Sequence, residues 1–290
     1  MSKVFLVTGS SRGLGRQIAE KVLAAGHSLV ATARRPEQLA DLVERYGDRV
    51  RAVALDVTDP QAARAAVDTA VTAFGRLDVV VNNAGYANSG SVEDTPDDDF
   101  RAQVEANLFG VVNVTKAALP VLREQGSGHV VQVSSVGGRA TTPGLSAYQA
   151  AKFAVGGFSE VLAKEVAPLG IKVTVLEPGG MRTDWAGASM TVHPVSPAYE
   201  RTVGAVNALR TTLMARAASD PAKVADVVLR VVDLDEPPVR LLLGSDAVGF
   251  AGRVDRARAE SDARWRGLSV STDFGDLTED SLDPLATLKG

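Results

Sequence analysis

The sequence predicts an α/β fold in which a doubly wound parallel sheet of about seven strands carries helices on both faces. Short runs of valine, leucine and isoleucine alternate with segments of helical periodicity from residue 3 to about residue 245. The runs contain few polar residues, which is typical of strands that helices cover on both sides. In such a sheet, ligands bind at the carboxyl ends of the strands.

The alternation is clearest in the N-terminal part of the chain. The run 3–9 ends at a glycine, and the helical segment 14–26 also stops at one. A second strand is expected at 28–34, followed by a helix at 36–47 that has a proline in its first turn and a glycine at its end. The same reasoning predicts the other elements, which are strands 50–57, 77–85, 128–135, 171–179 and 239–245, and helices 59–75, 96 to about 124, and 147–168.

Composition argues against several kinds of partner and site. With a net charge of −4, neither nucleic acid nor an anionic membrane is an expected partner. The chain has no cysteine and its three histidines are scattered, so no metal site is expected. The first apolar run is too short for a signal peptide or a membrane span, which predicts a soluble, cytoplasmic protein.

A glycine-rich turn, "TGSSRGLG", lies between the first strand and the first helix. Glycines there allow a tight turn and let a pyrophosphate approach the helix N-terminus, where free N–H groups favour anions. A tight loop without a ligand would have the same glycines, but the strand before the turn and the helix after it favour a dinucleotide. The expected contacts are Gly9, Ser11, Arg12, Gly13, Leu14 and Gly15.

The end of the second strand indicates which dinucleotide binds. An NAD site would have a carboxylate there for the adenosine ribose, but the chain has Ala33 followed by Arg34 and Arg35. Arg12 in the glycine turn adds a further cation. Guanidinium groups suit a 2′-phosphate, so the sequence predicts NADP(H) rather than NAD(H), although arginines at strand ends are often only solvated.

The stretch "YQAAK" places Tyr148 and Lys152 four positions apart in a predicted helix. Residues at this spacing share one face, so both side chains can point into one cleft. A phenol beside an ammonium group is a unit for proton transfer, because the positive charge, together with that of an oxidised nicotinamide, lowers the pKa of the phenol. Taken alone, the pair could equally be two polar residues on a helix surface.

Six pieces of sequence, in this order and spacing, resemble the short-chain dehydrogenases/reductases. They are "TGSSRGLG", "NNAG" at 82–85, Asn107, Ser135, "YQAAK" and "PGGMRT" at 178–183. The resemblance covers roughly residues 3–250, and the glycine spacing is similar to that of the shorter oxidoreductase branch of the family. It implies a Rossmann fold, and a single catalytic and dinucleotide-binding domain is expected over residues 1–270. The segment 271–290 is acidic and weakly apolar, which predicts a loosely held tail.

The resemblance also implies roles for matching residues. Asn107, Ser135, Tyr148 and Lys152 match the catalytic tetrad of the family, with Tyr148 as the acid or base and Lys152 also on the nicotinamide ribose. Asp56 and Val57 would lie near the adenine. The other implied cofactor contacts are Asn83, Ala84 and Gly85 at the adenosine ribose, and Pro178, Gly179, Met181 and Thr183 at the nicotinamide.

These residues favour an NADP(H)-dependent oxidoreductase that interconverts a ketone or aldehyde and its alcohol. A catalytically silent, redox-sensing regulator would also bind the dinucleotide, but it would not need Tyr148 and Lys152 together. An epimerase or dehydratase could use the same pair, and net consumption of cofactor would distinguish it.

Substrate and assembly rest on weaker patterns. By analogy, a lid at about 184–220 covers the substrate, and its composition favours a bulky or hydrophobic carbonyl compound, although these residues could merely pack the lid. They are Met181, Trp185, Met190, His193, Tyr199 and Met214. The family commonly forms homodimers and homotetramers through two long helices. In the second of these, Phe153, Val155, Phe158 and Leu162 look apolar for an exposed face.

Overall fold

Seven parallel strands form one sheet in the computed structural model, which describes residues 2–182 and 190–275. Their order across the sheet is β3-β2-β1-β4-β5-β6-β7, as expected for a doubly wound fold. The strands are β1 (Val4–Val7), β2 (Ser28–Ala33), β3 (Val50–Ala54), β4 (Val79–Asn82), β5 (Gly128–Val133), β6 (Ile171–Pro178) and β7 (Arg240–Leu243).

The chain changes direction across the sheet between β1 and β4. Strand β1 pairs with β2 on one side and with β4 on the other, and both pairings are parallel. The strand order therefore reverses at this point, and the connections leave a crevice above the carboxyl ends of β1 and β4. Such a crevice is where open α/β sheets bind ligands.

Helices cover both faces of the sheet, which confirms the predicted fold class. On one face, α1 and α8 pack over a core that includes Ile18, Leu23 and Val228. On the other, α3, α5 and α6 enclose a second core around Val67 and Leu122. The helices are α1 (Gly13–Ala24), α2 (Ala40–Tyr46), α3 (Pro60–Phe74), α4 (Asp97–Val104), α5 (Gly110–Gln125), α6 (Ser146–Val166), α7 (Ala205–Ala215), α8 (Pro221–Val232) and α9 (Ser245–Val270).

The long helix expected from residue 96 to about residue 124 is interrupted. Helix α4 passes into a π-helical turn, Glu105–Phe109, before α5 continues. A π turn inserts one residue into the helical repeat and commonly occurs at functional sites. Asn107 lies in this turn and is completely buried.

The C-terminal third contains helices that the sequence did not predict. Helix α7 lies within the predicted lid, whereas residues 183–189 are outside the described residues. The chain divides into two compact units, Met1–Phe250 and Ala251–Gly290. Helix α9 begins in the first unit, and all of its residues from 255 onward are exposed. The first unit thus ends before residue 270, and the proposed division into a domain and an acidic tail stays a prediction.

The apolar face on which the assembly argument depends is largely internal. Val155 and Leu162 are buried inside the chain's own core, and Phe158 packs partly against it. The sequence pattern predicted these residues on an exposed face. They are buried because α6 packs against the sheet along a wide stripe of its surface. The large apolar side chain that α6 does expose is Val161, at 56%. The homo-oligomer stays a prediction without this support.

Candidate active site

The glycine turn presents an open helix N-terminus above the end of β1. Gly9 has a φ of +68°, which favours glycine. A Cβ on Gly15 would overlap the carbonyl oxygen of Gly9, so this helix turn passes directly against the loop. Helix α1 has no side-chain cap and no acidic residue in its first turn. Its free N–H groups and positive dipole end are therefore available to an anion.

The loop after β4 is fastened to the glycine turn through Thr8. The backbone N–H groups of Asn83 and Ala84 both donate to Thr8 Oγ1, each at 2.9 Å. The Asn83 side chain donates to the Thr8 carbonyl oxygen at 2.9 Å. Asn83 thus braces the two loops that border the crevice. Thr8 was missed as a site residue, although it stands inside the "TGSSRGLG" motif.

The ends of β2 and β3 lie side by side at the edge of the crevice where the adenosine is expected. The backbone N–H of Leu55 donates to the Ala33 carbonyl oxygen at 2.9 Å, so the residues that follow β2 and β3 leave the sheet next to each other. Asp56 is exposed and accepts hydrogen bonds from the N–H and the hydroxyl of Thr58. Val57 is buried beneath the start of α5. Its Cγ2 atom lies so close to Gly110 that only a glycine fits at position 110.

The arginines expected to select NADP(H) are exposed on this side. Neither Arg12 nor Arg34 donates a side-chain hydrogen bond to a described residue, and Ala33 supplies no carboxylate between them. Arg34 is near enough to Tyr86, in the loop after β4, for its charge to lower the pKa of that phenol, although burial has the larger, raising effect.

The fold brings the four tetrad-matching residues together at the carboxyl end of β5. Tyr148 and Lys152 lie one turn apart in α6 and are 7% and 4% exposed. The Ser135 hydroxyl hydrogen-bonds the Tyr148 hydroxyl and also accepts from the Gly137 N–H at 3.0 Å. Lys152 Nζ lies 5.6 Å from the centre of the Tyr148 ring and donates to the Val133 carbonyl oxygen at 2.9 Å.

Asn107 completes the cluster from the π turn. Its amide nitrogen donates to the carbonyl oxygens of Tyr86, at 2.7 Å, and Gln103, at 2.8 Å. Its Oδ1 is buried and accepts no hydrogen bond from a described residue. A Cβ on Gly85 would lie 2.5 Å from this oxygen and 3.7 Å from Lys152 Nζ. The free acceptor and the ammonium group therefore border the same small space, which only a glycine leaves open.

Burial controls the pKa values of the central pair. It raises the pKa of Tyr148 to about 12, and the hydrogen bond from Ser135 opposes this only in part. Burial also lowers the pKa of Lys152 to about 8. Lys152 together with an oxidised nicotinamide was expected to lower the pKa of Tyr148, and among the protein's own groups desolvation of the phenolate acts in the opposite direction. Tyr148 is thus a protonated phenol at neutral pH.

The loop after β6 is positioned by residues that the sequence did not indicate. Pro178 is buried at the end of the strand, and the Gly179 N–H donates to the Leu243 carbonyl oxygen at 2.9 Å. The Gly180 N–H donates to the Asp246 carboxylate at 2.8 Å, and half-buried Met181 pairs with Ser219. Thr183, the expected carboxamide contact, lies outside the described residues.

An ion-pair cluster centred on a buried glutamate lies against the turn that begins at Ser135. Glu177, which precedes Pro178, is 0% exposed and accepts from Arg139 Nε at 2.7 Å and from Arg240 Nε at 2.9 Å. Arg240 also pairs with Glu160 of α6 at 2.8 Å and donates to the Gly138 carbonyl oxygen. The cluster joins the Ser135 turn, β6, β7 and α6. We refer to these four charged residues as the Glu177 cluster.

The described part of the predicted lid is held by polar contacts. His193 Nε2 lies 2.8 Å from an Asp99 carboxylate oxygen. The backbone N–H of His193 donates to the Ser89 carbonyl oxygen at 2.7 Å. The Tyr199 hydroxyl donates to Glu93 at 2.7 Å. These two side chains therefore serve as anchors rather than as the apolar surface that was expected. Met190 is half-buried, while Trp185 and the side chain of Met214 lie outside the described residues.

The described part of the chain has neither a membrane-spanning helix nor a cluster of metal ligands. No helix there has the length and apolar character needed to cross a membrane. No three histidine or acidic side chains among these residues converge as metal ligands would.

Comparison with known proteins places this geometry in a family. The short chain dehydrogenase family profile matches residues 3–192. An oxidoreductase of Botryotinia fuckeliana, BOA17, is 58% identical over 273 residues, which cover 94% of this chain and 100% of that protein. A short-chain dehydrogenase of Streptomyces avermitilis has a similar crystal structure, with a TM-score of 0.86 and 43% identity over 94% of this chain and 99% of that one.

A further solved structure contains a cofactor analogue. An alcohol dehydrogenase from the archaeon Thermococcus sibiricus, complexed with 5-hydroxy-NADP, has a TM-score of 0.69 and 26% identity over 84% of this chain and 97% of that one. The family profile covers most of the chain, and the first relative matches nearly all of it. The chain belongs to the short-chain dehydrogenase family of oxidoreductases.

Proposed function

We propose that the protein interconverts a ketone or aldehyde and its alcohol with NADP(H), and that Tyr148 is the acid and base. The observation that carries this proposal is the buried cluster of Tyr148, Lys152, Ser135 and Asn107 at the carboxyl edge of the sheet that also bears the glycine turn. A surface pair of polar residues would be solvated. These two are buried and share their surroundings with a hydroxyl and a free amide oxygen.

The residues at the crevice fit a nicotinamide dinucleotide. The open N-terminus of α1 and the close approach of Gly15 to Gly9 suit a pyrophosphate. Asp56 would lie near the adenine, and Asn83, Ala84 and Gly85 at the adenosine ribose. The bound cofactor supplies or accepts the hydride. Pro178, Gly179, Met181 and Thr183 would hold the nicotinamide end.

A preference for NADP(H) rests on the exposed guanidinium groups of Arg12 and Arg34 beside a strand end without a carboxylate. A 2′-phosphate would accept charge-assisted hydrogen bonds from both. The complex of the archaeal relative with an NADP analogue supports the same choice.

Tyr148 would donate its proton to the carbonyl oxygen of the substrate during reduction. Its raised pKa keeps the proton in place until an acceptor arrives, and Ser135 would hydrogen-bond the same oxygen and fix its position. Lys152 would then stabilise the phenolate through its nearby charge. The free Oδ1 of Asn107 would help to hold a water molecule that returns a proton to Lys152.

We also propose a cytoplasmic homodimer or homotetramer that acts on a bulky or hydrophobic carbonyl compound. The family supports the assembly, and the half-buried Met181 and Met190 support an apolar part of the substrate site.

The test is a spectrophotometric assay of NADPH consumption with a panel of ketones and aldehydes. Tyr148→Phe should lose at least about a hundredfold in kcat while keeping its affinity for NADPH, because only the acid is removed. Lys152→Ala should weaken cofactor binding as well. Tyr46→Phe is the matched control, since this half-buried tyrosine lies on α2. Near-normal turnover by Tyr148→Phe would refute the assignment, and turnover without net NADPH consumption would indicate an epimerase.

A further inference from the structure

Helix α7 presents two polar side chains on one face. Asn207 and Arg210 are three residues apart, which places them on the same side of the helix with Arg210 about 4.5 Å further along its axis. The Oδ1 atom of Asn207 accepts a hydrogen bond from the Ser89 hydroxyl at 2.7 Å. This contact turns the shared face towards the loop that follows β4.

The same face borders the loop that leads into the catalytic helix. A Cβ on Gly144 would lie 3.0 Å from Ser89 Oγ and 3.2 Å from Val203 Cγ1. The Gly90 N–H donates to the Gly144 carbonyl oxygen at 3.0 Å. Because Gly144 lies four residues before Tyr148 in sequence, this region of the chain packs against the segment that leads into the helix carrying Tyr148.

Both residues carry buried donors without partners. Asn207 Nδ2 and the Nε and Nη1 atoms of Arg210 are inaccessible to solvent and donate no hydrogen bond to any described residue. Native proteins rarely leave a buried N–H donor unpaired, because its desolvation is not compensated. The guanidinium cannot be neutralised by losing a proton. The arrangement therefore fits a ligand group that only accepts hydrogen bonds and carries negative charge.

We propose that Asn207 and Arg210 bind an oxyanion at the end of the substrate away from the carbonyl that is reduced. The proposal rests on the proposed function, because it takes Tyr148 as the place where the carbonyl binds. It changes the expected substrate from a purely hydrophobic carbonyl compound to one with an apolar body and an anionic end, either a carboxylate or a phosphate monoester.

The first test compares charged and neutral substrates of equal shape. The substrates are linear methyl-ketone carboxylates of increasing chain length, their methyl esters and the corresponding phosphate monoesters, assayed with NADPH. The variants are Arg210→Gln and Arg210→Lys, with Arg216→Gln as the matched control, since Arg216 is exposed just after the same helix. Thermal unfolding of each variant verifies that it folds.

The native enzyme should prefer the anionic ketone over its ester by roughly tenfold to a hundredfold in kcat/KM. Arg210→Gln should remove this preference by raising KM for the anion while kcat and the ester kinetics stay unchanged, because the contact does not alter during the reaction. Arg210→Lys should keep part of the preference, and Arg216→Gln all of it. The ratio of carboxylate to phosphate identifies the oxyanion. Equal use of anion and ester by the native enzyme would overturn the proposal.

A binding measurement separates this proposal from the proposed function. Isothermal titration compares octanoate, octyl phosphate and octanol as probes. If no carbonyl compound is reduced, the proposed reaction fails, yet tighter binding of an anionic probe that Arg210→Gln abolishes would still support the site. Equal binding of octanol and both anions would contradict it independently of turnover.

Discussion

The Glu177 cluster leads to a quantitative prediction about stability. Replacing Glu177 with glutamine keeps the shape of the side chain but removes the charge that two guanidinium groups share. Removing one partner of a buried ion pair costs about 3–5 kcal/mol, because the remaining charge is left uncompensated. The side chains of Arg139 and Arg240 are 24% and 22% exposed, and Arg240 keeps Glu160 as a partner, so water and that carboxylate recover part of the loss. We expect a decrease of about 2–4 kcal/mol in the free energy of unfolding.

Glu160→Gln is the matched control, because Glu160 pairs with the same arginine. Its side chain is 48% exposed, so the free energy of unfolding should fall by less than about 1 kcal/mol. Urea denaturation measures both variants, and Glu177→Gln should also unfold at a temperature lower by roughly 5–10 °C. Equal costs for the two variants would show that burial of Glu177 gives its ion pairs no extra strength and would refute the reasoning.

The cluster also bears on catalysis, because Arg240 contacts Gly138 in the turn that begins at Ser135. A variant that loosens this turn should lower kcat more than it changes the KM for the cofactor. If Glu177→Gln unfolds too easily to assay, Arg139→Gln gives the milder test, since Glu177 then keeps Arg240.

Three further predictions concern the cofactor, the glycine turn and pH. Arg34→Ala should reduce the preference for NADPH over NADH in kcat/KM by roughly tenfold. The double variant Ala33→Asp/Arg34→Ala should reverse the preference. An unchanged preference in Arg34→Ala would contradict the role of Arg34. Gly15→Ala should abolish dinucleotide binding in a fluorescence titration, because the new Cβ would overlap Gly9. Gly157→Ala is the control, because Gly157 lies on an open part of α6. This control should increase the free energy of unfolding by about 0.5–1 kcal/mol. Burial lowers the pKa of His129 from 6.5 to about 4, so its contribution to stability is complete above pH 6.5 and is lost as pH falls towards 4. His129→Leu should remove up to about 3 kcal/mol of this pH dependence in urea denaturation, and identical slopes for the two proteins would contradict it.

Much of the fold follows from the sequence because its signals are local. A buried parallel strand must be apolar on both faces, and each such run between two helical patterns is visible in the chain itself. The order of the motifs from the glycine turn to "PGGMRT" identified the family, and the comparisons confirmed it. The i, i+4 spacing of Tyr148 and Lys152 was enough to place both side chains on one face of a helix.

Other expectations failed because they depended on what surrounds a residue. Val155 and Leu162 appear exposed in a linear pattern, but α6 packs against the sheet and buries them. The pKa of Tyr148 was expected to fall beside Lys152 and an oxidised nicotinamide, and the sequence did not show that burial withdraws the hydroxyl from water and acts in the opposite direction. Neither the width of a buried helical stripe nor the desolvation of a phenol can be read from spacing.

The sequence by itself determined the fold class, the family and the four residues that match its catalytic tetrad. Only the tertiary structure revealed the Glu177 cluster and the unpaired donors of Asn207 and Arg210. Arg139 and Arg240 meet at Glu177, and Glu160 joins them through Arg240, because β5, β6 and β7 are neighbours in the sheet. The unpaired N–H donors on α7 indicate a ligand only because the packing buries them away from water. Local periodicity records which face of an element is apolar, whereas desolvation and pairing depend on residues that are distant in the chain.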